Sequence, residues 1–157
     1  MDFFSLILGD IFLSPLFKTK SMSTKAIIAG LLGGVVSFLL GWLVWGILLH
    51  DTMNSYSNMA CMRSEDDMNI PLIFVAQIIW GLLFAYIFSK WSTINSFSSG
   101  ATAGAILSVG ISIVVDLMFY ATSTMMTSLT VLGIDIGANL VVGAIFGGVI
   151  GWWLGRK

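Results

Sequence analysis

Residues Val131 to Leu154 read VLGIDIGANLVVGAIFGGVIGWWL, an apolar run with one charged residue, Asp135, near its start. A helix that spans a bilayer needs roughly 20 mostly apolar residues, and this run is long enough. Within it the small and polar residues recur every four positions: Asp135, Asn139, Gly143, Gly147 and Gly151, with Gly155 just beyond. Residues four apart lie nearly above one another on a helix, so the row forms a single face. Lipid supplies no hydrophobic drive to bring helices together. Small residues that permit close backbone approach, and polar groups that bond across the gap, take over that role. The segment therefore predicts a transmembrane helix with one face prepared for close packing.

Working outward, three more runs satisfy the same length criterion: Ala26 to Leu49, Ile70 to Phe88 and Ala101 to Ala121. Polar breaks separate them at Asp51–Asn69, Ser89–Gly100 and Thr122–Thr130. The composition agrees. Of 157 residues, 57% are apolar and only 10% are charged, where a soluble domain carries about 25%. Mean hydropathy is +0.98. So few charges cannot cover a water-soluble globule, and a single Cys excludes a disulfide-stapled module. The expected fold is all-α, an integral membrane four-helix bundle over residues 26–157, with a separate segment at residues 1–25.

The basic residues set an orientation. They are Lys18, Lys20, Lys25, Arg63, Lys90, Arg156 and Lys157, and with four spans all except Arg63 fall on one side. Glu65, Asp66, Asp67 and Asp135 fall on the other. The positive-inside rule makes the basic side cytoplasmic, with both termini inside. In residues 1–25, Asp10 and Pro15 interrupt an apolar run that Lys18 and Lys20 follow. A secretory signal has the reverse order. An amphipathic helix lying in the inner interface fits this stretch best, with a cleaved or re-entrant segment as the alternatives.

Every span carries a row like that of the fourth. The third has Gly104, Ser108, Ser112, Asp116 and Tyr120; the second has Gln77, Gly81, Ala85 and Ser89; the first has Gly30, Gly34, Ser37 and Gly41. Two readings are open: packing inside one chain, or self-association through the fourth span's glycines. A faint repeat accompanies the rows. Ala76-Gln77-Ile-Ile-Trp-Gly81-Leu-Leu-Phe84 matches Ala138-Asn139-Leu-Val-Val-Gly143-Ala-Ile-Phe146, and Ala29-Gly30 pairs with Ala103-Gly104. Both halves run in the same sense, which is the pattern of a parallel repeat about an axis along the membrane normal.

Asp116 is the ionisable residue furthest inside a span. A carboxylate near the bilayer centre costs a few kcal/mol, so it is expected to face an interior or a wet cavity. Asn139, Gln77 and Ser112 fall at similar depths and complete an expected polar cluster. Asp116 either binds or moves a proton or cation, with the amides orienting it, or bonds Asn139 and locks the helices. Tyr120 and His50 lie further out on the same side. Seven methionines also lie on the outer side, with Met59, Cys61 and Met62 close together and His50 upstream. Thioether, thiolate and imidazole are Cu(I) ligands. Methionine equally fills irregular apolar surface, and the spacing fits no strict metal motif, so no metal or other cofactor is expected. Cys61 faces the oxidising side, where an intersubunit disulfide is open to it. Tryptophans near span ends suit the headgroup boundary; Trp80 is the exception and is expected to pack.

No phosphate-cradling loop, zinc-ligand pair or serine nucleophile elbow is present, and a net charge of −1 gives no support to nucleic-acid binding. The segment Phe38-Leu39-Leu40-Gly41-Trp42-Leu43-Val44-Trp45-Gly46, with Ile136-Gly137-Ala138-Asn139-Leu140-Val141-Val142 and the glycine-bearing last span, resembles the small bacterial four-helix membrane proteins called domain of unknown function 1761. The family's Trp-Tyr pair at the end of the first helix is absent, since Gly46 follows Trp45. The resemblance implies a bacterial inner-membrane protein and no residue roles. The expected function is that of a non-enzymatic accessory or scaffold subunit, embedded in lipid and forming a homo-oligomer or joining a partner membrane subunit. The alternative is a small proton- or cation-coupled transporter or channel acting on an ion or small molecule.

Overall fold

A computed structural model describes residues 22–56, 58, 63–91 and 93–157; the expected interfacial helix of residues 1–25 lies almost wholly outside them. The elements in chain order are α1 (Thr24–Leu43), a π-helical turn (Val44–Leu48), α2 (His50–Tyr56), a 3-10 turn (Glu65–Asp67), α3 (Ile70–Lys90), α4 (Phe97–Thr122) and α5 (Leu129–Gly155). Among the described residues there is no strand. Four helices are long and apolar enough to cross a membrane: Thr24–Leu48, counting the π turn, then α3, α4 and α5.

Each long helix begins at a short polar side chain that accepts an otherwise orphaned backbone N–H. Ser23 caps α1 through Ala26 N, Asn69 caps α3 through Leu72 N, and Ser128 caps α5 through Thr130 N. Ser96 and Ser99 form a reciprocal capping box on α4. The expected third span, starting at Ala101, is thus extended by a turn to Phe97. The first is shortened as an α-helix because the backbone widens at Val44, with Leu49 N bonding Val44 O at 2.8 Å. Such π turns inside a long helix are rare and concentrate at functional sites.

Burial is inverted relative to a soluble protein. Leu39, Leu72, Ile79, Ile106, Val114 and Leu129 are exposed, whereas Ser37, Ser108, Ser112 and Asp116 are buried. That distribution suits a lipid surround. The helices pair through glycine. A Cβ on Gly147 would lie 2.6 Å from Gly100 O and 2.7 Å from Gly104 Cα, and one on Gly151 would lie 2.7 Å from Gly100 Cα. Gly143 sits against Gly104 and Ser108. α4 and α5 therefore touch through their backbones. α1 and α3 do the same: a Cβ on Gly30 would meet Leu82 Cα at 2.8 Å, and one on Gly34 would meet Ile78 Cα at 2.7 Å. Gly81 faces Gly30 and Gly34 from the other side.

The two pairs join where α5 crosses α1, with Ile150 filling the space beside Gly33, and where Phe84 of α3 meets Phe146 of α5 at 4.8 Å between ring centroids. α4 packs on α5 and makes no comparable interface with α1 or α3. The helices thus run α3–α1–α5–α4 in contact order, and the bundle is not a closed ring. The matched segments occupy matching places. Gly81 meets Gly30 as Gly143 meets Gly104, and the matched Phe84 and Phe146 touch each other.

The charges segregate by end. Lys25 Nζ donates to Arg156 O across 131 residues, and Gly155 lies against Asn95. The start of α1, the α3–α4 turn and the end of α5 therefore share the basic end, where Arg156 also covers the rings of Trp152 and Trp153 at 4.7 and 4.9 Å. At the opposite, acidic end the chain after α2 is clipped to the α4–α5 turn. Asn58 N donates to Met125 O at 2.8 Å, and Thr127 N donates to Tyr56 O at 3.1 Å.

Gly147→Val should destabilise the fold by about 1–3 kcal/mol or more, because backbone cannot yield as a side-chain tip does. Gly110→Ala, at a position where a Cβ meets nothing within 4 Å, should be neutral or stabilising by up to about 1 kcal/mol. Unfolding of the two variants in mixed micelles distinguishes them.

Candidate functional site

The α4 row Gly104, Ser108, Ser112 and Asp116 is buried along its whole length, so Asp116 continues the seam that faces α5. Asp116 lies six residues before the end of α4 and Asp135 six after the start of α5. At about 1.5 Å of rise per residue both carboxyl groups sit roughly 9 Å inside the acidic end. The two carboxyl groups are close enough to interact electrostatically across the α4–α5 seam. Asp116 is 4% exposed, and its Oδ2 has no hydrogen-bond partner.

Asp135 is held from two further directions. Trp45, carried on the π turn, donates its Nε1–H to Asp135 Oδ1 at 2.6 Å. Asn139, one helical turn along α5, donates from Nδ2 to Asp135 Oδ2 at 2.7 Å and to Asp135 O at 3.0 Å. Both amide hydrogens of Asn139 are thereby used, and its Oδ1 is left as an acceptor. A third pair links α1 to α3, with Ser37 Oγ donating to Gln77 Oε1 at 2.7 Å.

These groups border a half-enclosed cavity of about 340 Å³ between the helix pairs. Its polar and aromatic lining comes from Ser37, Trp45, Gln77, Trp80, Ser108 and Asn139, with Phe146 at its floor. Trp45 and Asn139 border the cavity and also bond Asp135, so the carboxyl pair stands directly behind this wall. Ser108 is 5% exposed, and its Oγ has no partner. A buried hydroxyl without a partner costs about 1–3 kcal/mol.

The sequence-derived cluster is rearranged rather than reproduced. Asp116 and Asn139 do not bond each other; Asp135 stands between them. Gln77 and Asn139 border the same cavity. Ser112 Oγ turns to Val109 O at 3.1 Å on its own helix and does not reach Asp116. Tyr120 is exposed, and His50 bonds Asn54 at 3.1 Å and lies 3.5 Å from Asp51, so neither extends the cluster. Met59, Cys61 and Met62 lie outside the described residues. Among the described residues no three His, Cys, Asp or Glu side chains converge as a metal group. The glycines Gly30, Gly34, Gly104, Gly143, Gly147 and Gly151 are occupied in the helix seams.

Two residues of the site were not singled out from sequence. By sequence Asp135 counts among the outer-side acids. Its place in the same four-residue row as Asn139 was the available signal, because the row that packs must also be the row that is buried. Trp45 was assigned to the headgroup boundary, and nothing local marks the π turn that redirects it. The chain matches no protein-family model, no curated protein and no solved structure.

Trp45→Phe keeps the ring and deletes the donor to Asp135; it should cost about 1–2 kcal/mol, read by unfolding in micelles. Asp116→Asn and Asp135→Asn should be non-additive by about 0.5–3 kcal/mol in a double-mutant cycle, whereas either one paired with Gly110→Ala should be additive.

Proposed function

We propose that the protein is a small, non-enzymatic multi-pass membrane protein that holds and passes a proton or cation at the Asp116–Asp135 pair. The observation that carries this reading is the pair itself: two neighbouring carboxyl groups inside a lipid-facing bundle, one of them 4% exposed with an oxygen unpartnered. Two carboxylates side by side in an apolar surround repel, and a bound proton or cation offsets that repulsion. Ionisable groups in membrane spans are costly and mark ion pathways and proton relays. The cavity supplies the approach from one side, through Trp45 and Asn139.

The accessory-subunit reading rested on glycine rows available for self-association. Most of those glycines are buried between α1 and α3 and between α4 and α5, so self-association would use other faces, such as those at Gly133 and Gly137. The clustering of Lys25, Lys90, Arg156 and Lys157 at one end supports cytoplasmic termini.

Reconstituted into liposomes with an internal pH dye and an imposed pH gradient, the protein should accelerate proton equilibration. Asp116→Asn should reduce that rate to the level of empty liposomes while leaving helicity and elution volume unchanged. Flux that survives Asp116→Asn and Asp135→Asn alike would sink the reading.

A further inference from the structure

The cavity has a chemistry distinct from the carboxyl pair behind it. None of its lining side chains is ionisable. Asn139 has used both of its N–H groups on Asp135 and retains an acceptor oxygen. Gln77 has used its oxygen on Ser37 and retains an amide nitrogen with two donors. Ser108 Oγ, buried and unpartnered, both donates and accepts. A donor and an acceptor therefore border one space, among the rings of Trp45, Trp80 and Phe146, with the Ser108 hydroxyl buried at its edge beside Gly143. Gln77 and Asn139 are the matched residues of the internal repeat, so the cavity lies at the junction of the two halves, where transporters built from repeats place their substrate sites.

A charged ligand finds no counter-charge on this wall, since no ionisable side chain lines it. A purely apolar one would leave Ser108 and Gln77 unsatisfied, which is unfavourable in a dry site. We propose that the cavity binds a small uncharged planar molecule carrying both a hydrogen-bond donor and an acceptor, such as an amide. In naming the solute of this site the proposal rests on the preceding reading of the protein as a carrier. Binding and proton movement have separate readouts, so each can fail alone.

Benzamide, benzoate and benzamidinium share one shape and differ in charge, and Trp45 and Trp80 report on the cavity. In lipid nanodiscs, tryptophan fluorescence of the whole protein should change saturably with benzamide and not with either ion at the same concentration. Ser108→Ala should weaken benzamide binding about tenfold with no loss of thermal stability, because the hydroxyl it removes bonds nothing in the fold. Gly41 borders the cavity and a Cβ there meets nothing within 4 Å, so Gly41→Leu should fill the space and abolish binding. The proposal is overturned if benzamide gives no saturable signal, if either ion binds as tightly, or if Ser108→Ala binds like the parent protein. Should Gly41→Leu fail to assemble, Ser108→Ala decides. Benzamide binding without proton flux would leave this proposal standing and remove the proton reading alone.

Discussion

Where Gly104 meets Gly143, and Gly100 meets Gly147 and Gly151, two transmembrane helices touch through their backbones with no side chain between them. In lipid that contact must substitute for hydrophobic attraction, because a leucine facing lipid and a leucine facing another helix are nearly equivalent. Dispersion contact between closely approached backbones is the force that remains, and it falls off within fractions of an ångström. A single added methyl in the seam would therefore separate the helices along several turns. The same geometry recurs between Gly30, Gly34 and Gly81, so the chain is two tightly welded helix pairs.

The junction between those pairs is built differently. It relies on larger side chains, with Phe84 against Phe146 and Ile150 beside Gly33, and larger side chains cannot seal a gap as uniformly as glycine can. A cavity remains on the acidic side of the phenylalanines. Polar residues can occupy that region because they find partners across it: Ser37 with Gln77, and Trp45 and Asn139 with Asp135. The tight seams and the open junction are thus complementary. Rigid pairs give a space between them a defined shape, and a junction without glycine-to-glycine backbone contact is the part of the molecule free to repack.

Much of this was legible in the residues. The four-residue rows identified which face of each helix turns inward, because spacing on a helix converts directly to direction. Ser108, Ser112 and Asp116 are all buried for that reason. Row membership also implied Asp135, whose nearness to the end of its span argued the other way. Illegible were the bonds themselves. Ser112 lies one turn from Asp116, yet its hydroxyl is satisfied by Val109 O, since a serine in a helix can turn back to a carbonyl of the preceding turn. Trp45 reaches Asp135 across 90 residues because the backbone widens into a π turn at Val44, and no local pattern announces that widening.

The sequence by itself determined the solvent, the number of spans, the segregation of charge to two ends and the inward faces. Each of these follows from composition or from a periodicity of one helix. Tertiary structure alone decided which helices pair, that the glycine rows are consumed inside the chain, and that Asp116 meets Asp135 instead of Asn139. Those outcomes depend on the relative rotation and height of separate helices. In lipid that arrangement is set by backbone fit to a fraction of an ångström, which no single helix encodes.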